Sequence, residues 1–328
     1  MPNRRVHHVL NAIDVAAPAG VVYGLIADSV RWPLFFPPSI HVERLDFDGV
    51  RERLRMWVTA NGQVKSWTSD RVLDAARRTV SFRQTLPATP AASLGGVWTV
   101  EAAGAGSCRL TLRHEFTAVD DRAQDVAWLE RAINANTRSE LEQLRSFAER
   151  WTDLDALTLS FEDSVRVKGP AELVYDFLYR AADWPAVVPH VHRVDLAEPQ
   201  AGVQQMTMVT STAAGVVHGI ETVRVCFPHA GRIVYKQVVC PKLVAAHTGE
   251  WSVVPDETGV TVVSQHSVVL RDDAEQRVLG AGTDLERARR TVRAELGRSS
   301  VQLLELAREH AKSAIHVLRS RRPVLGQL

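Results

Sequence analysis

One segment of the sequence, Val64–Leu73, alternates in residue type as a strand with two different faces does. One face carries Trp67, Ser69 and Arg71, and the other carries short polar residues suited to solvent. If the first face is buried, Arg71 needs partners, because an unpaired buried charge costs several kcal/mol. Arginine stays protonated, so its chemistry there would be electrostatic rather than that of a general base. From this strand alone, an outward Arg71 paired with a surface carboxylate fits equally well.

A second segment, 153 residues further along the chain, repeats the hydroxyl-then-arginine pattern. Arg224 corresponds to Arg71 and Thr222 corresponds to Ser69, whereas neighbouring positions differ between the two segments. Retention of these two positions favours an inward, functional arginine in each half of the chain. We therefore expect an arginine to face each of two cavities, with Arg71, Ser69, Arg224 and Thr222 as catalytic residues.

Aromatic and histidine side chains could complete a cavity beside these strands. Core packing is the usual role of such aromatic residues, and the alternative is a slot in which rings stack against a flat or conjugated ligand. A histidine near the cavity could also transfer a proton at neutral pH. We expect substrate contacts from Trp32, Phe36, Trp67, Trp98 and His114 in the first half, and from Trp184, His190, His218 and Trp251 in the second.

Signals for a metal or a nucleotide cofactor are weak. His190 and His192 form a His-x-His pair, but no third ligand follows at a suitable spacing, so no metal site is predicted. The sequence contains no GxSxG, HExxH, P-loop or GxGxxG signature. Covalent nucleophilic and nucleotide-dependent mechanisms are therefore disfavoured, and no cofactor is predicted.

The candidate residues belong to two copies of one domain. The sequence VAAPAGVVYGLIADSVRWP at 15–33 corresponds to VKGPAELVYDFLYRAADWP at 167–185. Later landmarks, among them one tryptophan and one histidine in each half, keep an offset of 152 or 153 residues. An internal repeat of this length predicts two homologous domains, at 1–152 and 153–328.

Each copy has the same predicted order of elements. A short strand leads to a helix that starts at a proline, a Pro-rich segment stops that helix, six strands follow, and a long amphipathic helix ends the copy. Asp120 or Asp121 could cap the long helix in the first copy. An antiparallel sheet buries one face, so the long helix is the expected cover, with a ligand-sized gap beneath it. The predicted class is α+β, with a curved antiparallel sheet around a long C-terminal helix in each copy.

Composition excludes several classes of partner. Lys and Arg total 39 against 38 Asp and Glu, so neither nucleic acid nor an anionic membrane is expected to bind. The 3 cysteines have no disulfide or metal spacing, which indicates reduced thiols in the cytoplasm. The N-terminal segment does not resemble a signal peptide, and no apolar run approaches the roughly 18 residues of a membrane span.

The two Trp-Pro segments, the TrpThrSerAspArg strand at 67–71 and Trp98 resemble the didomain aromatase/cyclases of bacterial type II aromatic polyketide synthases. The resemblance covers nearly the whole chain and implies a helix-grip fold, also called Bet v 1-like or START-like, in each half. It implies a central catalytic role for the arginine of that strand. The chain departs from the pattern in two places. No tyrosine follows the first Trp-Pro, and Ile220 replaces the strand tryptophan in the second copy.

The implied activity is regiospecific first-ring aldol cyclisation and dehydration of a poly-β-ketone on an acyl carrier protein, in antibiotic or pigment biosynthesis. The carrier protein and other synthase components are the implied partners. The cavity would fold the chain, and Arg71 would stabilise the developing enolate. Ser69, with a water or His114, would relay protons. Because the second copy departs from the strand pattern, we predict that the first copy forms the ring.

Three alternatives remain open on the same fold, since fold does not determine function. The protein could be a carrier of lipid or another hydrophobic ligand without catalytic activity. Alternatively, the N-terminal domain could be catalytic and the C-terminal domain structural. A weaker alternative is an interaction module that uses the short basic runs at 77–78 and 319–322, although such runs are usually solvated surface.

Overall fold

The computed structural model describes residues 5–60, 62–271 and 285–320, with side chains described as far as residue 313. The side chains of the basic run at 319–322 therefore lie outside the described residues. The chain divides into two compact units, and the boundary in the sequence falls between Leu154 and Asp155. Within the described residues, no helix is long and apolar enough to cross a membrane.

The N-terminal unit is one seven-stranded antiparallel sheet covered by a long helix. Its strand order is β1-β7-β6-β5-β4-β3-β2. The strands are β1 (His7–Val15), β2 (Ser39–Phe47), β3 (Arg51–Ala60), β4 (Gln63–Asp74), β5 (Thr79–Gln84), β6 (Ala91–Gly104) and β7 (Ser107–Ala118). The helices are α1 (Ala19–Ala27), α2 (Trp32–Phe35) and α3 (Ala123–Ala148).

The C-terminal unit has the same architecture and the equivalent strand order, β8-β14-β13-β12-β11-β10-β9. Its strands are β8 (Thr158–Val167), β9 (Val191–Gln200), β10 (Val203–Ser211), β11 (Val217–Phe227), β12 (Arg232–Val239), β13 (Val244–Asp256) and β14 (Gly259–Leu270). Its helices are α5 (Ala171–Tyr179), α6 (Trp184–Val187) and α7 (Leu285–Ser320), and a short helix, α4 (Leu154–Leu157), precedes β8. The predicted element order and the α+β helix-grip class are confirmed in both units.

The core of the N-terminal unit forms where the apolar stripe of α3 meets the inner face of the sheet. The buried positions of α3 recur at helical spacing, as an amphipathic helix requires, and include Leu141, Leu144 and Phe147. They pack with α1 and with inward residues of β5 to β7, such as Val80 and Leu110. Removing this apolar surface from water stabilises the unit by roughly 25 cal/mol for each Å² buried.

The Trp-Pro segments anchor the short helices α2 and α6 to the helices that precede them. The Trp32 indole donates a hydrogen bond to the Leu25 carbonyl at 3.0 Å. In the C-terminal unit the Trp184 indole donates to the Phe177 carbonyl at 3.1 Å. The proline lies in the first turn of each short helix, where its missing N–H has no helical acceptor to lose.

The predicted cap of α3 is wrong. The helix begins at Ala123, and the preceding residue, Arg122, makes no side-chain capping bond. Asp120 and Asp121 instead adopt left-handed conformations with φ of 62° and 49° in the turn after β7. The Asp121 carboxylate lies 2.7 Å from the ring Nε2 of His7 in β1. This side chain therefore ties the turn to the sheet and does not reach the helix.

Candidate active site

Arg71 lies on the buried face of β4, where strand alternation places it. Its Nη1 donates to Glu52 Oε1 at 2.8 Å, and its Nη2 donates to the Ile26 carbonyl at 2.6 Å. The arginine and glutamate side chains are 2% and 0% exposed, respectively, so the ion pair is fully enclosed. Burial lowers the pKa of Arg71 to about 10, and the Glu52 charge opposes that change, so the guanidinium stays charged at neutral pH.

The other predicted residues of the N-terminal unit are packed around this ion pair or in the adjacent core. The Arg71 guanidinium lies 5.0 Å from the centroid of the Trp32 ring, which meets Phe36 edge-on at 5.4 Å. Ser69 is buried and donates to the Arg83 carbonyl at 3.3 Å. Trp98 is buried in the core shared with α3, and Trp67 packs against the cluster of Val42, Leu54 and Met56.

Arg224 is completely buried in the C-terminal unit, but its partners differ from those of Arg71. Its Nη1 donates to the Tyr179 carbonyl at 3.4 Å, and its Nη2 donates to the Leu178 carbonyl. Gln204 on the neighbouring strand β10 is paired with Arg224 in the sheet register. Glu52 holds the equivalent position opposite Arg71. Among the described residues no carboxylate pairs directly with Arg224, and its Nε has no hydrogen-bond partner.

A cavity of about 620 Å³ opens in the C-terminal unit between the sheet, α7 and the segment around α6. Five of the predicted residues line it: Trp184, His190, His218, Thr222 and Trp251. Arg224 is not among the lining residues. This corrects the expectation that its guanidinium faces the cavity, because the backbone carbonyls at the end of α5 hold it inside the wall. Its guanidinium lies 5.5 and 5.6 Å from the ring centroids of Trp184 and Trp251, two residues of the cavity wall.

The cavity wall also contains a connected group of polar side chains that the sequence analysis did not assemble. His266 Nδ1 lies 3.0 Å from His247 Nε2 and 3.1 Å from the Tyr235 hydroxyl. His266 Nε2 lies 2.6 Å from the Ser300 hydroxyl and 3.1 Å from that of Ser264. All five side chains are buried, and all except Ser264 line the cavity. We call these five residues the histidine network.

The N-terminal unit lacks most of this network. His114 corresponds to His266, and its Nδ1 lies 3.4 Å from the Thr137 hydroxyl of α3. The strand register places Phe82 at the position of Tyr235, Leu94 at that of His247, and Leu112 at that of Ser264. These are apolar side chains, so Thr137 is the hydrogen-bond partner that His114 keeps among the described residues, and Phe82 meets the ring edge-on at 5.6 Å. The histidine network could have been found by aligning the two copies, because polar residues of the second copy stand where the first copy has apolar residues on the inward face.

Glu140 is a further residue that the sequence analysis missed. It is half-buried on α3, one turn after Thr137, and burial raises the pKa of its carboxyl to about 7. A carboxylate within an otherwise apolar helical stripe was the available signal. By contrast, His190 and His192 bind different partners, Gln302 and Ser211. Within the described residues, no cluster of three or more histidine, cysteine or acidic side chains could hold a metal ion.

Both units match the same known protein family. A family described as polyketide cyclase / dehydrase and lipid transport matches residues 6–149 and again residues 158–308. The chain belongs to this family. Because each unit matches separately, the internal repeat is a duplication of one family member.

Relatives and solved structures of the same two-unit length are similar to this chain. The granaticin polyketide synthase bifunctional cyclase/dehydratase of Streptomyces violaceoruber is 36% identical over 96% of this chain and 97% of the relative. The actinorhodin polyketide synthase bifunctional cyclase/dehydratase of Streptomyces coelicolor is 38% identical over 90% of this chain and 93% of the relative. The crystal structure of the di-domain ARO/CYC BexL, from the BE-7585A biosynthetic pathway, is 44% identical with a TM-score of 0.86, over 93% of this chain and 98% of BexL. The di-domain ARO/CYC StfQ of the steffimycin pathway is 30% identical with a TM-score of 0.83, over 94% and 99%.

Replacing Glu52 should destabilise the N-terminal unit more than replacing the whole ion pair does. Glu52→Leu leaves Arg71 as a buried, unpaired charge, and we expect the free energy of unfolding to fall by about 3–5 kcal/mol. The double variant Glu52→Leu/Arg71→Met removes both charges and should recover much of that loss. Urea unfolding of the three proteins measures the difference. A double variant no more stable than Glu52→Leu would contradict this account of the pair.

His114 should make the N-terminal unit sensitive to acid. Burial lowers the pKa of His114 to about 4, whereas an unfolded histidine titrates near 6.5. Between these values the unfolded chain binds a proton that the folded chain excludes, so this contribution is present above pH 6.5 and is lost as pH falls towards 4. On acidification over this window, the wild type should lose on the order of 3 kcal/mol more unfolding free energy than His114→Asn does. If urea unfolding shows that both proteins lose the same unfolding free energy on acidification, the low pKa of His114 is not a source of acid sensitivity.

Proposed function

We propose that this protein is a cyclase/dehydratase of an aromatic polyketide synthase that acts on a poly-β-ketone carried by an acyl carrier protein. In this role it folds the reactive chain, promotes closure of the first ring by an aldol reaction, and promotes the loss of water that leads to an aromatic ring. The cavity of the C-terminal unit, with its histidine network, is the observation that carries the proposal. The names of the relatives, bifunctional cyclase/dehydratases of polyketide synthases, support the substrate class.

The cavity suits a conjugated, oxygen-rich chain in both size and chemistry. Its volume of about 620 Å³ falls in the range of roughly 300–1,000 Å³ that is typical of small-molecule sites. Apolar side chains supply most of the wall, and the indoles of Trp184 and Trp251 offer flat surfaces against which planar segments could stack. Such a wall excludes water and holds one methylene near one carbonyl, which favours a single ring closure over the many available in solution.

Unsatisfied polar atoms in the wall support a reactive site over a passive one. Gln237 Oε1, His247 Nδ1 and Trp251 Nε1 are buried, belong to lining residues and have no hydrogen-bond partner in the described structure. A buried polar atom without a partner costs about 1–3 kcal/mol. The carbonyl and hydroxyl groups of a polyketide could supply partners once these side chains turn towards the cavity. A purely hydrocarbon ligand would leave these atoms unsatisfied. The alternative of a lipid carrier is therefore less favourable for this cavity.

The N-terminal unit supplies a second set of groups for the same chemistry. Arg71, Ser69, His114 and Glu140 are among its buried or half-buried polar side chains, and the predicted role of Arg71 is to stabilise an enolate oxygen. Arg71 is bound to Glu52 and to the Ile26 carbonyl, so that role requires part of its fork of donors to remain available to substrate. Aldol closure forms a C–C bond and dehydration breaks a C–O bond. Both are accompanied by proton transfers and are redox neutral overall, so the chemistry requires no redox cofactor.

Filling the C-terminal cavity should abolish directed product formation. Leu296 lines the cavity on α7, and Ala294 is exposed on the same helix. Leu296→Trp should shift the products made with a minimal polyketide synthase to those formed without this protein, whereas Ala294→Trp should retain the directed product. Chromatography with mass spectrometry measures the two profiles. A directed product from Leu296→Trp at the level of wild type would exclude this cavity as the reaction site.

The contribution of Arg71 requires a variant that keeps the unit folded. Arg71→Ala alone would leave Glu52 as a buried, unpaired charge, so a loss of product would not distinguish chemistry from unfolding. The double variant Glu52→Leu/Arg71→Met removes both charges. If Arg71 stabilises the enolate, this variant should remain folded by circular dichroism and lose correct first-ring products. An unchanged product profile would assign Arg71 a structural role only.

A further inference from the structure

The histidine network connects two cavity-lining groups that can donate or accept a proton, Tyr235 and His247, through a third, His266. We propose that Tyr235, His266 and His247 form a proton relay that carries out the dehydration step in the C-terminal cavity. This inference rests on the proposed function and deepens it, because it assigns one of the two chemical steps to named side chains. Ser300 and Ser264 position the central histidine.

One arrangement of protons is consistent with the contacts of His266 to Ser300, Tyr235 and His247, with two donors sharing the Nδ1 lone pair. His266 Nε2–H donates to the Ser300 hydroxyl at 2.6 Å. His266 Nδ1 then accepts from the Tyr235 hydroxyl at 3.1 Å and from His247 Nε2–H at 3.0 Å. In this arrangement the other nitrogen of His247, Nδ1, carries a lone pair, and it has no partner among the described residues. The network therefore ends in a base at His247 and an acid at Tyr235.

These two ends match the requirements of dehydration of a β-hydroxyketone. A shift of the His247 ring brings Nδ1, which is buried in the wall, to the substrate. Nδ1 then accepts the proton of the carbon next to the carbonyl, and the electron pair of that C–H bond forms the new C=C bond. The C–O bond breaks, and the leaving hydroxyl takes the proton of Tyr235 and departs as water. His247 Nε2 passes its proton to His266 Nδ1, and His266 passes it on to Tyr235. His247 is then protonated on Nδ1 alone, and loss of that proton to water with reprotonation of Nε2 restores the starting state. Nothing is oxidised or reduced, and the products are the alkene and one water.

The environment holds the three groups in the protonation states that this relay needs. Burial lowers the pKa of both His247 and His266, and the proximity of His266 lowers that of His247 further. Both rings are therefore neutral at neutral pH, and the same burial makes them weaker bases than an exposed histidine. Burial raises the pKa of the Tyr235 phenol, which stays protonated as a donor. Coupled neutral groups in a dry site exchange protons without first losing solvating water.

Gly249 allows the tyrosine to reach the histidine. It lies beside Tyr235 and His266 in the strand register, and a Cβ atom at this position would overlap the tyrosine hydroxyl. Gly96 is the counterpart in the N-terminal unit, where a Cβ would approach the Phe82 ring to 2.9 Å. Both units thus keep an aromatic ring over a glycine, and only the C-terminal ring carries the hydroxyl that contacts His266.

The N-terminal unit also indicates which substitutions the backbone accepts. Phe82 and Leu94 occupy the positions of Tyr235 and His247 in the same strand pattern. Tyr235→Phe and His247→Leu therefore reproduce side chains that this chain already accommodates in its own duplicate. Thr248→Leu is the matched control, since Thr248 is next to His247 in β13 but is not a lining residue.

The experiment follows each variant with a minimal polyketide synthase and with wild-type protein alongside, after circular dichroism confirms folding. General acid–base catalysis contributes about 10²–10⁴-fold, so Tyr235→Phe and His247→Leu should slow dehydration by at least about 10²-fold. A cyclised alcohol, one water heavier than the final product and with the same ring, should accumulate. Wild type and Thr248→Leu should give the dehydrated product.

Failure of the relay and failure of the proposed function give different results. If wild-type protein leaves the product profile of the synthase unchanged, the proposed function is wrong and the relay falls with it. If wild type directs the product and both variants dehydrate it at the wild-type rate, the relay alone is overturned. Variants that form a different ring without accumulating the heavier alcohol would also overturn it, because the residues would then shape the chain and not move protons.

Discussion

The first helix of each unit ends inside the protein, where its last carbonyl groups need hydrogen-bond donors. A helix leaves its final carbonyls without intrahelical partners, and these groups carry partial negative charge. The tryptophan of the Trp-Pro segment and the buried arginine of β4 or β11 supply the donors. Trp32 and Arg71 bind the carbonyls of Leu25 and Ile26. Their counterparts Trp184 and Arg224 bind the equivalent carbonyls of α5. The residues that resemble the family pattern are thus also the residues that close this helix end.

A buried arginine creates a second requirement, which the two units meet differently. In the N-terminal unit Glu52 neutralises Arg71, and the carboxylate also accepts from Arg44 at 2.9 Å. In the C-terminal unit Gln204 replaces that carboxylate, so Arg224 depends on backbone carbonyls and on its position near two indole rings. Both solutions keep a guanidinium in the wall of the unit. Only the first places a full counter-charge against it.

The duplication allowed the inner faces to diverge while the outer framework stayed the same. Strand order, register and the glycines beneath the aromatic rings are shared, because they determine whether each sheet curves and packs. The inward positions that differ, Phe82 with Tyr235 and Leu94 with His247, change hydrogen bonding without changing the backbone. Two units of one fold therefore carry different inward groups, with a buried ion pair in the first and the histidine network in the second.

The sequence by itself determined the fold class, the duplication and the element order, and it favoured an inward Arg71. These follow from local periodicity and from a repeat with a nearly constant offset, which are properties of neighbouring positions along the chain. The sequence did not determine the cap of α3, the partners of either arginine or the polar network in the wall of the C-terminal cavity. The partners of Arg71 lie 19 and 45 residues away in the chain, and the histidine network joins β12, β13, β14 and α7. Alternation along a strand decides which face a side chain occupies. The group it meets there depends on strands and helices that only tertiary packing brings together.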